Sequence, residues 1–213
     1  MSITGNINSI LNNIPSNVSL VAVSKTKPNT DILTAYNAGQ KVFGENKVQE
    51  LTKKEKELPS DIKWHMIGHL QTNKVKYIAP FVSLIHAVDS LRLLEEINKR
   101  AKQHNRIIDC LLQVHIAKES TKSGFKIEEI KTVLETSNAF KNITIKGLMA
   151  MATFTNDIKQ INKEFIKVNQ LFTEIKTKEI NTLSIGMSGD YELAINNGSN
   201  MIRLGSAIFG KRN

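Results

Sequence analysis

The stretch SLVAVSKTKPNT (Ser19–Thr30) begins as an apolar run and ends in two lysines, two positions apart, and a proline. Side chains alternate along a strand, so Val21, Val23 and Lys25 fall on one face. The run reads as a buried strand that delivers a primary amine at its C-terminal end. What that amine is for depends on the architecture around it.

Outward from this stretch the same pattern recurs. The β-rich runs KVFGE, KWHMIG, LIHAVD, IDCLLQVHI, ITIKGLMAM, TLSIGM and MIRLGSAIFG alternate with helical patterns. The clearest helix is SLRLLEEINKRAKQHN, with Ser90 as N-cap and Leu91, Leu94, Glu95 and Asn98 setting the spacing. A second spans roughly Asp157 to Lys178. Strands alternating with helices suit either a closed (β/α)8 barrel or an open doubly wound sheet. No G-x-G-x-x-G follows the first strand, as a dinucleotide-binding open sheet would require. The fold class is therefore α/β: a single (β/α)8 TIM-type barrel domain over residues 1–213. Ile3, Ile7, Ile10, Leu11 and Ile14 recur at helical spacing and predict an extra amphipathic helix before it.

Such barrels place their chemistry at the C-terminal ends of the strands. Those ends carry Lys25, Glu45 and Asn46, His65 and Gly68, Asp89, His115, Met151, Ser188, and Arg203 with Gly205 and Ser206. If Val21 and Val23 fill the interior, Lys25 rises at the mouth. An exposed lysine has a pKa of about 10.4 and is a poor nucleophile at neutral pH. Partial burial and the like charge of Lys27 would both lower it, which suits a Schiff base with an aldehyde. Ser188, Gly189 and Asp190 open the short helix YELAINN, and Gly205 and Ser206 repeat the arrangement after the last strand. Small residues there expose backbone N–H groups to an anion, and the loops after strands 7 and 8 are the usual phosphate site of this barrel.

Composition narrows the function classes. No apolar run reaches the roughly 18–20 residues that span a bilayer, and the N-terminus lacks the basic and apolar regions of a secretory signal. Cys110 lies alone inside IIDCLLQV and reads as a reduced core cysteine, so a cytoplasmic location is expected. The net charge of +9 comes from scattered lysines whose densest run, KKEKE, is mixed in sign. A nucleic-acid partner is therefore disfavoured against a small anionic ligand. His65 and His69 stand four apart, but WHMIGHL reads as strand into loop, which argues against a shared zinc site.

Six blocks now carry a resemblance: VAVSKTKP, FGENKVQE, WHMIGHLQTNKVKYI, GLMAM, SIGMSGDYELAI and IRLGSAIFG. The sequence resembles the pyridoxal phosphate homeostasis protein family, the small PLP-binding relatives of the alanine racemase barrel. The likeness covers nearly the whole chain, and the HMIGHLQTNK block and the final block are the most specific. One departure is visible in QVHIAKESTKSGF, where His115 stands at a position commonly held by asparagine, although Glu119, Lys122 and Gly124 fit.

The resemblance implies an alanine racemase N-terminal domain-like barrel whose cofactor, pyridoxal 5'-phosphate (PLP), is held on Lys25 as an internal aldimine. It further implies that Ser188, Gly205 and Ser206 hold the phosphate, that Arg203 faces the pyridine nitrogen, and that Asn46, His65 and Met151 line the ring. The implied function is storage, buffering or delivery of PLP without substantial turnover, with PLP-dependent apoenzymes as recipients and a monomeric state. Catalysis through PLP usually needs a protonated pyridine nitrogen, whereas arginine can only donate there. Racemases of this barrel add a tyrosine base from a C-terminal β domain, which is expected to be absent because the chain ends at Asn213, just past the IFG block. The alternative is a PLP enzyme acting weakly on amino acids, like a racemase.

Overall fold

A computed structural model describes residues 2–119 and 123–210; Lys122 and Asn213, both used in the sequence reading, lie outside them. Eight parallel strands close into a barrel in chain order, each pairing with the next and the last with the first. They are β1 (Ser19–Val23), β2 (Val42–Glu45), β3 (Lys63–Met66), β4 (Leu84–Val88), β5 (Ile108–Val114), β6 (Ile143–Ala150), β7 (Thr182–Ser184) and β8 (Met201–Leu204). Around them run α1 (Ile3–Asn13), α2 (Asn29–Asn37), α3 (Val48–Glu57), α4 (Val75–Ile78), α5 (Leu91–Gln103), α6 (Ile130–Ser137), α7 (Ile158–Ile175), α8 (Tyr191–Asn196) and α9 (Ser206–Phe209).

Strand parity divides the apolar residues into two layers. Leu20, Ala22, Phe43 and Trp64 face outward and join the helices in one large core, where each buried aliphatic or aromatic side chain contributes about 1.5–3 kcal/mol. Val21 pairs with Arg203 across β1 and β8, and Val23 pairs with Gly44 across β1 and β2. These point inward, as the alternation in SLVAVSK required. Deeper in the barrel, Leu84, Ala87, Leu111 and Met149 make a small separate cluster with Met151 and Met201 against it. The interior is not apolar throughout, however. His65, His86, Ser184 and Arg203 form a hydrogen-bonded polar layer where branched apolar side chains usually sit.

The helices follow local signals, with differences in the buried face. Ser90 caps α5 by accepting from the Leu93 N–H, as its position predicts. The buried stripe is Leu93, Leu94, Ile97 and Ala101, whereas Glu95 is exposed and Asn98 instead accepts from the Asn142 N–H. Of the predicted positions, Leu94 is in the buried stripe and Leu91 packs partly buried against the core. In α1 only Ile7 and Ile10 are fully buried, and Leu11 faces solvent at 43% exposure. Asp157 accepts from the Lys159 and Gln160 N–H groups to start α7, which ends at Ile175, short of Lys178. The final run is strand only to Leu204; SAIF winds into α9. Cys110 is buried and free, and burial pushes its thiol well above its ordinary pKa.

Candidate functional site

At the C-terminal mouth a cavity of about 500 Å³ is lined by Lys25, Asn46, Met151, Ser188, Arg203, Gly205 and Ser206, together with Val23, Lys27, Ile67, Phe154, Met187, Gly189 and Gly210. Residues from β1, β2, β3, β6, β7 and β8 and their loops thus converge on one space, although they run from Val23 to Gly210 in the sequence. Strand ends do this because the barrel closes β8 against β1.

Lys25 follows β1 and lines the cavity. Lys27 also lines it, but its Nζ donates to the Phe209 carbonyl at 3.0 Å and holds the end of α9. Asn46 is set by a close approach: a Cβ on Gly68 would lie 2.5 Å from the Asn46 carbonyl oxygen and 2.7 Å from its Cα. Only glycine lets the loop after β3 pass over Asn46. The Asn46 Oδ1 is buried and has no hydrogen-bond partner among the described residues, so a ligand donor reaching it would offset a cost of about 1–3 kcal/mol.

The loops after β7 and β8 meet at Ser188. Its Oγ accepts from the Gly205 N–H at 3.2 Å and the Ala207 N–H at 3.3 Å. Of the two residues that the sequence places after the last strand for an anion, Gly205 has its N–H turned to Ser188, which keeps its own hydroxyl proton to donate. Asp190 does not cap α8; its carboxylate accepts from the Met187 N–H at 2.6 Å and so shapes the turn before it. Burial raises the Asp190 pKa, with the Met187 bond and Arg203 opposing.

Arg203 forms the floor. Its Nη1 donates to the Ser184 carbonyl at 2.7 Å and to Ser184 Oγ at 2.6 Å, and its Nη2 donates to the Ala150 carbonyl at 3.1 Å. Burial lowers its pKa to about 10, countered by Asp190, so the guanidinium stays cationic at neutral pH. Behind it Ser184 Oγ lies 3.2 Å from His86 Nδ1, and His86 Nε2 lies 3.0 Å from His65 Nδ1. Arginine can only donate, and among the described residues Ser184 finds its acceptor in His86 Nδ1. Both imidazoles then carry their proton on Nε2. Burial holds the His65 pKa down at about 3, and burial with His65 and Arg203 nearby holds His86 well below its ordinary value.

His65 is buried and bonded to His86, and it is not among the residues that line the cavity. His69 is on the surface against Asp89 at 3.1 Å, so the two histidines point to different sites. Glu45 also leaves the predicted ring: it faces outward between β2 and α3, where its Oε1 accepts from Ser24 Oγ and Lys54 Nζ. Burial raises its pKa, opposed by Lys54 and Ser24. His115 lines a small adjoining pocket with Gln113, Ser123 and Met151, and its buried Nδ1 has no partner among the described residues. The residues missed from sequence are His86 and Ser184, detectable only as polar side chains at inward parity, and Lys54, hidden in a charged helix.

Residues 1–213 match the family described as alanine racemase, N-terminal domain. The chain belongs to that family. Among its relatives it is 40% identical over 198 residues to the pyridoxal phosphate homeostasis protein of Aquifex aeolicus, covering 91% of this chain and 86% of that one. It is 42% identical over 195 residues to the protein of the same name from Helicobacter pylori strain 26695, covering 90% and 87%. PipY of Synechococcus elongatus, solved with PLP bound, superposes with a TM-score of 0.90 at 33% identity over 98% of this chain and all of PipY. Alanine racemase from E. faecalis matches at a TM-score of 0.75 and 16% identity over 99% of this chain and 58% of that enzyme, a likeness of fold alone.

Proposed function

We propose that this protein binds pyridoxal 5'-phosphate on Lys25 and stores, buffers or delivers it within vitamin B6 homeostasis, as one barrel domain over residues 1–213. The observation that carries the reading is the single cavity joining an amine, a buried cation and two small-residue turns. The donor set suits the group. Lys25 provides the amine, Ser188, Gly205 and Ser206 the phosphate end, Arg203 a fixed donor for the ring nitrogen, and Asn46 an unpartnered oxygen beside Met151. When bound, the cofactor would supply an aldehyde carbon within reach of a primary amine, the role Lys25 would fill. The names of the relatives and the PLP in PipY support the same cofactor.

Catalytic turnover is not part of this function. Arg203 offers the ring nitrogen a hydrogen bond but no exchangeable acid, and this weakens the electron sink that amino-acid chemistry draws on. None of the three tyrosines lines the cavity. Tyr36 donates to Asp61 on the surface, Tyr77 is 51% exposed, and Tyr191 pairs with Glu192. The protein acts as a monomer in the cytoplasm and passes PLP to apoenzymes that need it. Among the described residues no helix is long and apolar enough to cross a membrane.

The test is borohydride reduction of the protein mixed with PLP, followed by peptide mass spectrometry. The expected result is one phosphopyridoxyl group on Lys25. A modification confined to Lys27 or to surface lysines would overturn the assignment.

A further inference from the structure

We infer that Lys54 and Glu50, on α3 and outside the barrel, are positioning residues that set where the Lys25 amine stands. The inference rests on Lys25 being the PLP lysine.

The geometry lies in the main chain on either side of Lys25. Ser24 precedes it and is fully buried. The Ser24 N–H donates to the Gly44 carbonyl at 3.1 Å, and its carbonyl accepts from the Lys27 N–H at 3.0 Å and from Lys54 Nζ at 2.8 Å. Its hydroxyl donates to Glu45 Oε1 at 2.6 Å. Thr26 follows Lys25 and takes φ of +64°, a left-handed conformation outside glycine. Its N–H donates to Glu50 Oε1 at 2.5 Å. Lys25 and Thr26 are thus the central pair of a turn closed from Ser24 to Lys27, and a positive φ at the third position is where glycine is usually required. A threonine held there costs roughly 1–3 kcal/mol and persists only where its surroundings over-determine it.

The surroundings are one ion cluster. Lys54 Nζ donates to the Ser24 carbonyl, to Glu45 Oε1 at 2.8 Å and to Glu50 Oε1 at 2.7 Å. Its three protons are therefore all committed, and the side chain is only 5% exposed. The Glu50 oxygen that meets Lys54 is the one that receives the Thr26 N–H. The residues before and after Lys25 are tied to the same ammonium, one directly and one through Glu50. Buried ion clusters are weak contributors to stability, and apolar residues of similar size often serve as well or better. What apolar residues cannot do here is accept the Thr26 N–H and cap the Ser24 carbonyl. With both flanks held, the Lys25 side chain starts from a fixed point at the cavity wall.

The experiment measures how fast PLP becomes reducible onto Lys25, by timed borohydride quenching and peptide mass spectrometry. Glu50 is the cleaner site, because Glu50→Ala leaves the Lys54–Glu45 pair intact. Circular dichroism verifies that each variant is folded. Glu50→Ala is expected to label Lys25 between about 10- and 100-fold more slowly, the range set by a misplacement of up to about 1 Å. Glu50→Gln keeps an oxygen for the Thr26 N–H and should recover most of the rate, a rescue that a purely ionic role would not give. Lys54→Met, if folded, should shift the label from Lys25 towards Lys27; if it does not fold, the Glu50 pair decides. A wild-type rate in Glu50→Ala, or Glu50→Gln as slow as Glu50→Ala, overturns the inference. Failure of the wild-type protein to label Lys25 at all overturns instead the assignment of Lys25 as the PLP lysine.

Discussion

Mild acid should unfold this protein through two histidines that cannot accept a proton while it is folded. His65 and His86 sit inside the barrel, bonded to each other and, through Ser184, to the Arg203 cation. Burial holds the His65 pKa at about 3 against an ordinary 6.5, and His86 lies well below 6.5 as well. Both pKa values are depressed by folding, so their stability contribution is complete above pH 6.5 and is lost as pH falls, for His65 towards pH 3. In that window the unfolded chain takes up protons that the folded barrel refuses. At pH 5 His65 alone costs about 2 kcal/mol, and His86 adds to the loss in the same direction. Against a typical domain stability of about 5–15 kcal/mol that is a large share.

The assay is urea unfolding at several pH values between 8 and 4.5, on wild-type protein and on His65→Asn, whose amide oxygen can still accept from His86. Removing one titrating group should reduce the slope by about 1.4 kcal/mol per pH unit below pH 6. In parallel, two of the five histidine ring signals should fail to titrate above pH 5 in NMR spectra. Equal slopes for the two proteins, or a His65 signal that titrates near pH 6.5, would refute the reasoning.

Three further outcomes are expected. Ser188→Ala combined with Ser206→Ala should weaken PLP binding by about 1–3 kcal/mol, measured by fluorescence titration, and unphosphorylated pyridoxal should bind the unmodified protein much less well; equal affinities for the two vitamers would remove the phosphate role. Gly68→Ala pushes a methyl group into the Asn46 backbone and should cost about 1–3 kcal/mol in denaturant unfolding while lowering PLP affinity, and wild-type values for both would refute the close-approach argument. Solvent deuterium should enter the Cα of alanine or serine only slowly with PLP-loaded protein, because each missing acid–base group costs about 10²–10⁴-fold. Rapid exchange abolished by Lys25→Ala would make the protein an enzyme.

What the sequence determined by itself was local or periodic. SLVAVSK announces its inward face because strand side chains alternate, so Val21, Val23 and Lys25 could be aligned before any fold was known. Ser90 announces the start of α5 because an N-cap needs only its own helix. The number and order of the strands then implied a mouth, and with it the convergence of Lys25, Ser188, Arg203 and Ser206. The tertiary structure alone decided what lies behind those residues. Glu45 and His65 end neighbouring strands and looked equivalent in sequence, but one meets Lys54 outside the barrel and the other His86 inside it. Lys54 looked like one more lysine in KKEKE until α3, packed against β2 and β3, brought it to the Ser24 carbonyl, 30 positions away. Pairings of that kind depend on side chains from different elements meeting in space, and a one-dimensional pattern carries no distance between them.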